Sequence, residues 1–259
     1  MNNTVLYEAT NAVATITLNR PEARNALNDA LLDDLRAAFE QTRAADVRAV
    51  VLAGAGKGFC SGADLSVFER SRTPDETAAY IIEKYQPLMQ AICTLPKPVI
   101  GAINGVAAGA GAALALACDL RVMTDDASIM MAFSNIGLVP DAGATWFLAR
   151  QVGYSRAFEI ASEAERINAA RCYELGLTNR VVPAAELLSA AQAWAATLAQ
   201  RPTLALGLTK QALYHALESS LHDAIAFEAE LQKQTIVSDD HREGVTAFRE
   251  RRPPVYQGR

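Results

Sequence analysis

From Pro98 to Cys118 the chain carries no charged residue. An apolar run of that length is long enough to cross a bilayer as one helix. Four glycines (Gly101, Gly105, Gly109 and Gly111), Asn104 and the opening Pro98 argue against that helix. A buried strand over residues 99–103, a glycine-rich turn and a small-residue helix over 106–117 fit the segment better. A strand and a helix with no polar face must be covered on all sides, so the chain has to fold in layers around them. Its 259 residues, 51% hydrophobic and 20% charged, supply the apolar material for one large domain or two small ones and rule out a disordered or fibrous chain.

Residues 12–18 form a β-rich alternating run and predict a strand. Residues 28–45 carry Leu31, Leu32, Leu35, Ala38 and Phe39 on one helical face, with Asn28 or Asp29 as cap. Residues 48–53 are a short continuous apolar run, the pattern of a strand covered on both faces. The loop after it, to Gly62, holds four glycines. Residues 120–123 and 129–132 predict two more strands, and 154–162, 168–175, 184–200 and 203–218 predict successive helices. The polar, Pro-containing segment 70–77 predicts a surface loop. Strand alternates with helix over the first ~140 residues and helix dominates afterwards, which predicts parallel α/β layers followed by a helical segment.

Several chemistries are excluded. A net charge of −5 offers nucleic acid no basic footprint. Cys60, Cys93, Cys118 and Cys172 lie far apart without C-x-x-C spacing and read as buried free thiols. Met1 to Thr10 has neither the basic start nor the apolar centre of a secretory signal, so a cytoplasmic location is expected. In the first glycine loop, Phe59 stands where a dinucleotide fingerprint needs Gly or Ala, and Lys57 is followed by Gly58 rather than Ser or Thr. His215, His222 and His241 all fall in the helical tail, where a solvated face explains the first two, and no metal-ligand cluster is visible.

Two glycine-rich turns remain, each following a buried strand: Gly58-Phe59-Cys60-Ser61-Gly62-Ala63-Asp64-Leu65 and Asn104-Gly105-Val106-Ala107-Ala108-Gly109-Ala110-Gly111. Either alone reads as tight packing. If each opens a helix, each presents unpaired main-chain N–H groups at a positive dipole end. Two such groups converging on one point make an oxyanion hole.

With these turns in view, the chain resembles the crotonase (enoyl-CoA hydratase/isomerase) superfamily over nearly its full length. The residues that carry the resemblance are Asn19-Arg20-Pro21 with Asn25-Ala26-Leu27-Asn28, residues 57–65, Lys97-Pro98-Val99-Ile100 with 104–111, 136–143, and Glu243-Gly244-Val245 through Phe248. The resemblance implies an α/β fold, a crotonase-like spiral of ββα turns over 1–198, followed by a C-terminal helical trimerisation region over 199–259. It implies an acyl-CoA thioester as substrate and partner, with its carbonyl held by the N–H groups at Ala63 and Ala110. By the same matching, Ala26, Ser61, Asp64 and Leu65 lie near the CoA, and Phe248 and Arg251 meet the CoA of a neighbouring subunit in a homotrimer or dimer of trimers. Coenzyme A enters as part of the substrate. No metal, redox cofactor, nucleic acid or membrane is expected.

The family's hydratases work with two glutamates, and the matching positions here are Ala113 and Phe133. No glutamate occurs between Glu83 and Glu159. Adding water across a double bond needs a base for the water and an acid for the α-carbon, and neither residue supplies one. Asp141 stands in the right region. From the residues alone it reads equally as the N-cap of a following helix or as a catalytic carboxylate; the resemblance favours the second. Asp64 as a cap of its own helix and Asp119 as a support for the strand that follows are its competitors. Phe133, Met130, Met131, Phe68 and Trp146 read either as walls of an apolar acyl pocket or as core.

Within the family, residues 104–112, 131–146 and 202–213 resemble the bacterial ring-epoxide isomerases of phenylacetyl-CoA catabolism. Those enzymes turn 1,2-epoxyphenylacetyl-CoA into its oxepin form and also shift double bonds in enoyl-CoAs, a step of fatty acid metabolism. An isomerase with one carboxylate, Asp141, is therefore the expected activity. A hydratase with non-standard acid and base groups, or an acyl-CoA-binding protein without chemistry, are its alternatives.

Overall fold

The structure is a computed structural model that describes residues 4–65 and 73–259. Its main sheet follows from the apolar runs. Strands β1 (Val5–Thr10), β2 (Val13–Leu18), β3 (Ala49–Gly54), β4 (Val99–Ile103), β6 (Leu120–Thr124) and β9 (Arg180–Val182) form one six-stranded sheet in the order β1-β2-β3-β4-β6-β9. Only the β1–β2 pair is antiparallel; the other neighbours run parallel. Alternate residues along β3 therefore feed two cores. Val50 and Leu52 join Ile16, Leu18 and Ile103 on one face, while Ala49, Val51 and Ala53 join Ile100, Ala102 and Val122 on the other.

The first face is covered by α1 (Asp29–Gln41), α3 (Gln86–Thr94) and α4 (Ala110–Ala117). Asn28 caps α1, its side chain accepting from the Leu31 N–H, as the sequence predicts. The second face is covered by α8 (Leu187–Ala199), whose buried stripe is Leu187, Ala191, Ala195 and Ala199. Small side chains there let the helix lie close on the sheet. A second sheet, β5 (Val106–Ala108), β7 (Ser128–Met130) and β8 (Ile167–Asn168), packs beside the first.

The charge-free run resolves into β4, β5 and α4, whose eight residues are all buried. Among the described residues no helix is long and apolar enough to cross a membrane. The strand expected over 129–132 is β7, and the helix expected to start at residue 106 starts at Ala110 instead. Residues 106–108 pair in parallel with β7, and that ladder wins over helix propensity. The loop expected over 70–77 is also corrected. Its residues 70–72 lie outside the described residues, and α2 (Pro74–Tyr80) begins after Thr73, which forms a capping box with Glu76. Cys60, Cys118 and Cys172 are buried thiols, as expected, and Cys93 is half-buried.

After α8 come α9 (Thr203–Ala216), α10 (Leu221–Thr235) and α11 (Asp239–Glu250). Lys210 ties α9 to the sheet layer, its Nζ donating to the Ile92 carbonyl at 2.8 Å and pairing with Asp119 at 2.9 Å.

Candidate active site

The two glycine-rich turns come together. Cys60 donates its N–H to the Val106 carbonyl (3.2 Å) and accepts from the Ala108 N–H (2.9 Å), so the first turn lies as a short extra strand along β5. The approach leaves no room for side chains: a Cβ on Gly111 would stand 2.3 Å from the Cys60 carbonyl oxygen. On the other side, the Leu27 N–H donates to the Gly62 carbonyl (2.7 Å) and the Asp64 N–H to the Leu27 carbonyl (3.0 Å). In that ladder the Ala63 N–H points away from Leu27. Ala110 is the first residue of α4, where a backbone N–H has no partner within the helix. Among the described residues neither N–H donates a hydrogen bond to the protein. Two unengaged donors at adjoining turns, one at a helix start, suit a site for developing negative charge on oxygen.

Asp141 is half-buried on the segment between β7 and α5 (Ala144–Val152). Its carbonyl accepts from the Ala144 N–H at 2.8 Å across a tight turn in which Ala142 and Gly143 both have left-handed φ, 50° and 81°. The turn puts Gly143 at the helix N-cap, and no side chain caps α5. The capping alternative for Asp141 therefore falls. Burial raises its carboxyl above the ordinary 3.8, with a hydrogen bond from its own backbone N–H opposing.

The two positions that the resemblance matches to hydratase glutamates are apolar in space as well as in sequence. Ala113 is fully buried inside α4. Phe133 is 7% exposed, and its ring tip lies 3.9 Å from where a Cβ would stand on Gly109, beside Ala110. The Gly109 N–H donates to the Met130 carbonyl (2.9 Å), which brings β7 to the second turn. Met131 lines a cavity of about 370 Å³ together with Leu138, Pro140, Ala144, Leu148 and Tyr154. Trp146 does not share it: it lies on the other side of α5, stacked on Tyr214 in a cavity that Lys210 also lines. Phe68 lies outside the described residues.

Ser61 and Leu65 are exposed beside Ala63, whereas Ala26 is buried and its carbonyl accepts from Arg20 Nη1. Asp64 pairs with the same guanidinium at 2.9 Å. Its expected role as a helix cap concerns residues outside the described ones. Asp119 supports a strand, but the preceding one: its Oδ2 accepts from the Val99 N–H at the start of β4 (2.8 Å) and not from β6. Phe248, 86% exposed, and Arg251 stand on and just after α11. Among the described residues neither hydrogen-bonds to the two turns.

Two residues quoted only as parts of motifs prove to have partners at the site. Arg20 joins Ala26 to Asp64, and wholly buried Asn25 faces the carbonyls of the first loop. No periodicity marks either one, because Asp64 lies 44 residues from Arg20 and the carbonyls that Asn25 faces lie 30 or more residues from it.

A spiral of strand, turn and helix with two adjoining turns that present free main-chain N–H groups defines a crotonase-type α/β protein. Solved relatives share that fold. An enoyl-CoA hydratase from Polaromonas sp. JS666 superposes with a TM-score of 0.92 at 35% identity, covering 97% of this chain and 99% of that one. One from Bacillus anthracis gives 0.93 at 34% identity, covering 99% and 100%. The sequence profile of the enoyl-CoA hydratase/isomerase family matches residues 8–259, and the chain belongs to that family. Among curated relatives, the "Probable enoyl-CoA hydratase" of Rhodobacter capsulatus is 45% identical over 99% of both chains. The 1,2-epoxyphenylacetyl-CoA isomerase of Escherichia coli is 40% identical over 98% of both.

Proposed function

We propose that this enzyme isomerises acyl-CoA thioesters, converting the ring-epoxide of phenylacetyl-CoA to oxepin-CoA, a 3-enoyl-CoA to a 2-enoyl-CoA, or both. The observation that carries the reading is that Ala113 and Phe133, at the positions matched to the two hydratase glutamates, are apolar and buried, while Asp141, further along the chain, is a half-buried carboxylate. The thioester oxygen accepts from the Ala63 and Ala110 N–H groups, which lowers the cost of an enolate. Asp141 takes a proton from the α-carbon of a 3-enoyl-CoA, and the electron pair moves onto the thioester oxygen. It returns the proton at C4, and the double bond moves into conjugation. In the epoxide, the same two donors and Asp141 assist ring opening. No atom is gained or lost in either case, so one carboxylate is enough.

Phe133 borders the acyl group, Ala26, Ser61, Asp64 and Leu65 lie along the CoA, and Phe248 and Arg251 reach the CoA of a neighbouring subunit in a homotrimer or dimer of trimers. Coenzyme A is the substrate's own handle, and no other cofactor takes part. The identity of 45% to a relative named as a hydratase favours a second reading, hydration with other acid and base groups. Two absorbance assays separate them: an isomerase makes conjugated thioester from a 3-enoyl-CoA and leaves crotonyl-CoA conjugated, whereas a hydratase removes the conjugation of crotonyl-CoA.

A further inference from the structure

The loop that delivers the Ala63 N–H is organised by one side chain. Asn25 is fully buried, with left-handed φ of 56°. Its Nδ2 lies within hydrogen-bond distance of three carbonyls of that loop, Ala55 (2.9 Å), Gly58 (3.0 Å) and Phe59 (3.0 Å). Its Oδ1 accepts from the Arg20 N–H (2.9 Å), so both ends of the amide are used. Its own carbonyl accepts from Cys60 Sγ at 3.1 Å. Cys60 is the residue whose main chain pairs with Val106 and Ala108 just before the second turn. The Ser61 N–H donates to the Arg24 carbonyl (3.0 Å), extending the same seam toward Ala63.

We infer that Asn25 is a positioning residue for the oxyanion hole: it holds the 55–60 loop against β5 and so sets where the Ala63 donor stands relative to the Ala110 donor. The inference rests on the proposed function, because it presumes that those two N–H groups bind a thioester oxygen. An amide suits the place for two reasons. Three carbonyls on one side demand a donor, and one backbone N–H on the other demands an acceptor. Asparagine also tolerates the left-handed backbone that this turn requires. Aspartate has nearly the same shape but presents oxygen to all three carbonyls, so the loop must move off it.

The test is Asn25→Asp, with Asn25→Gly as a second variant that keeps the left-handed turn and merely deletes the amide. The infrared carbonyl stretch of butyryl-CoA, isotopically labelled at the thioester carbonyl and bound to the whole enzyme, reports on the donors directly. In the wild type the band should fall below its position for free butyryl-CoA. In folded variants it should return most of the way, with turnover of a 3-enoyl-CoA down about 10-fold or more and KM changed far less. A purely structural asparagine would lower the melting temperature and leave the bound band and turnover where they are. That result, in either folded variant, overturns the positioning role while leaving the proposed function intact. A wild-type band identical to that of free butyryl-CoA overturns the oxyanion reading and, with it, the role of Asn25.

Discussion

Gly62 faces Ala110 across the seam of the two turns, with no room for a side chain: a Cβ on Gly62 would stand 3.4 Å from the Ala110 nitrogen and 2.7 Å from the Ala108 carbonyl oxygen. Gly62 also has φ of 96°, which side chains rarely adopt. Gly62→Ala should therefore wedge the two turns apart. Backbone strain alone costs roughly 1–2 kcal/mol, and the contact with fixed main chain adds to it. Urea denaturation should show the loss of stability. The fraction that remains folded should turn over acyl-CoA about 10²-fold more slowly, as when an oxyanion donor is lost.

Ala110→Pro removes the second donor with little harm to the helix, since Ala110 is the first residue of α4 and proline is tolerated there. Circular dichroism should show a folded protein. Turnover should fall about 10²–10³-fold at every substrate concentration.

Asp141→Asn separates catalysis from capping. Gly143, not Asp141, is the N-cap of α5, so the substitution should leave the fold intact and lower turnover by about 10²-fold or more. Stability should follow the sign of the pKa shift. Burial raises the carboxyl above 3.8 in the folded state, so folding binds more protons and the charged form costs stability as pH rises through the folded pKa. At neutral pH the Asn variant should melt at the wild-type temperature or higher. Wild-type turnover should decline as acid protonates Asp141, at a pH above that of an ordinary aspartate.

Lys210 and Asp119 form an ion pair with side chains only 10% and 21% exposed, and Asp119 also holds the Val99 N–H. Lys210→Met leaves that carboxylate without its cation and should cost about 3 kcal/mol in thermal or urea unfolding. Adding Asp119→Asn should restore part of the loss, because the uncompensated charge is then gone.

Much of the frame is legible in the sequence because it follows from patterns a few residues long. The apolar runs gave β3 and β4, the Leu31, Leu32 and Leu35 face gave α1, and the glycines of the two turns marked the close approach of Cys60 to β5. Several of the misses depend on distant partners, although α2, with its capping box, and α3, with Leu88, Met89 and Ile92 on one face, carry local signals. Val106 to Ala108 is a strand only because β7 lies beside it. The exposed edge strand β1 and the very short β8 and β9 bury too little to leave a pattern. Its chain neighbours make Asp64 look like a helix cap, but its partner Arg20 arrives from elsewhere. Asn25 gave no local signal, since its worth lies in carbonyls about 30 residues further on.

Whether one carboxylate suffices, with no water added, is tested most directly by mass. The wild-type enzyme would be incubated with a 3-enoyl-CoA in water enriched in oxygen-18, and the product followed by mass spectrometry together with its absorbance. An isomerase gives a conjugated 2-enoyl-CoA of unchanged mass that carries no heavy oxygen. A 3-enoyl-CoA left unconverted, while crotonyl-CoA in the same water becomes 3-hydroxybutyryl-CoA labelled with oxygen-18, would contradict it and make the enzyme a hydratase.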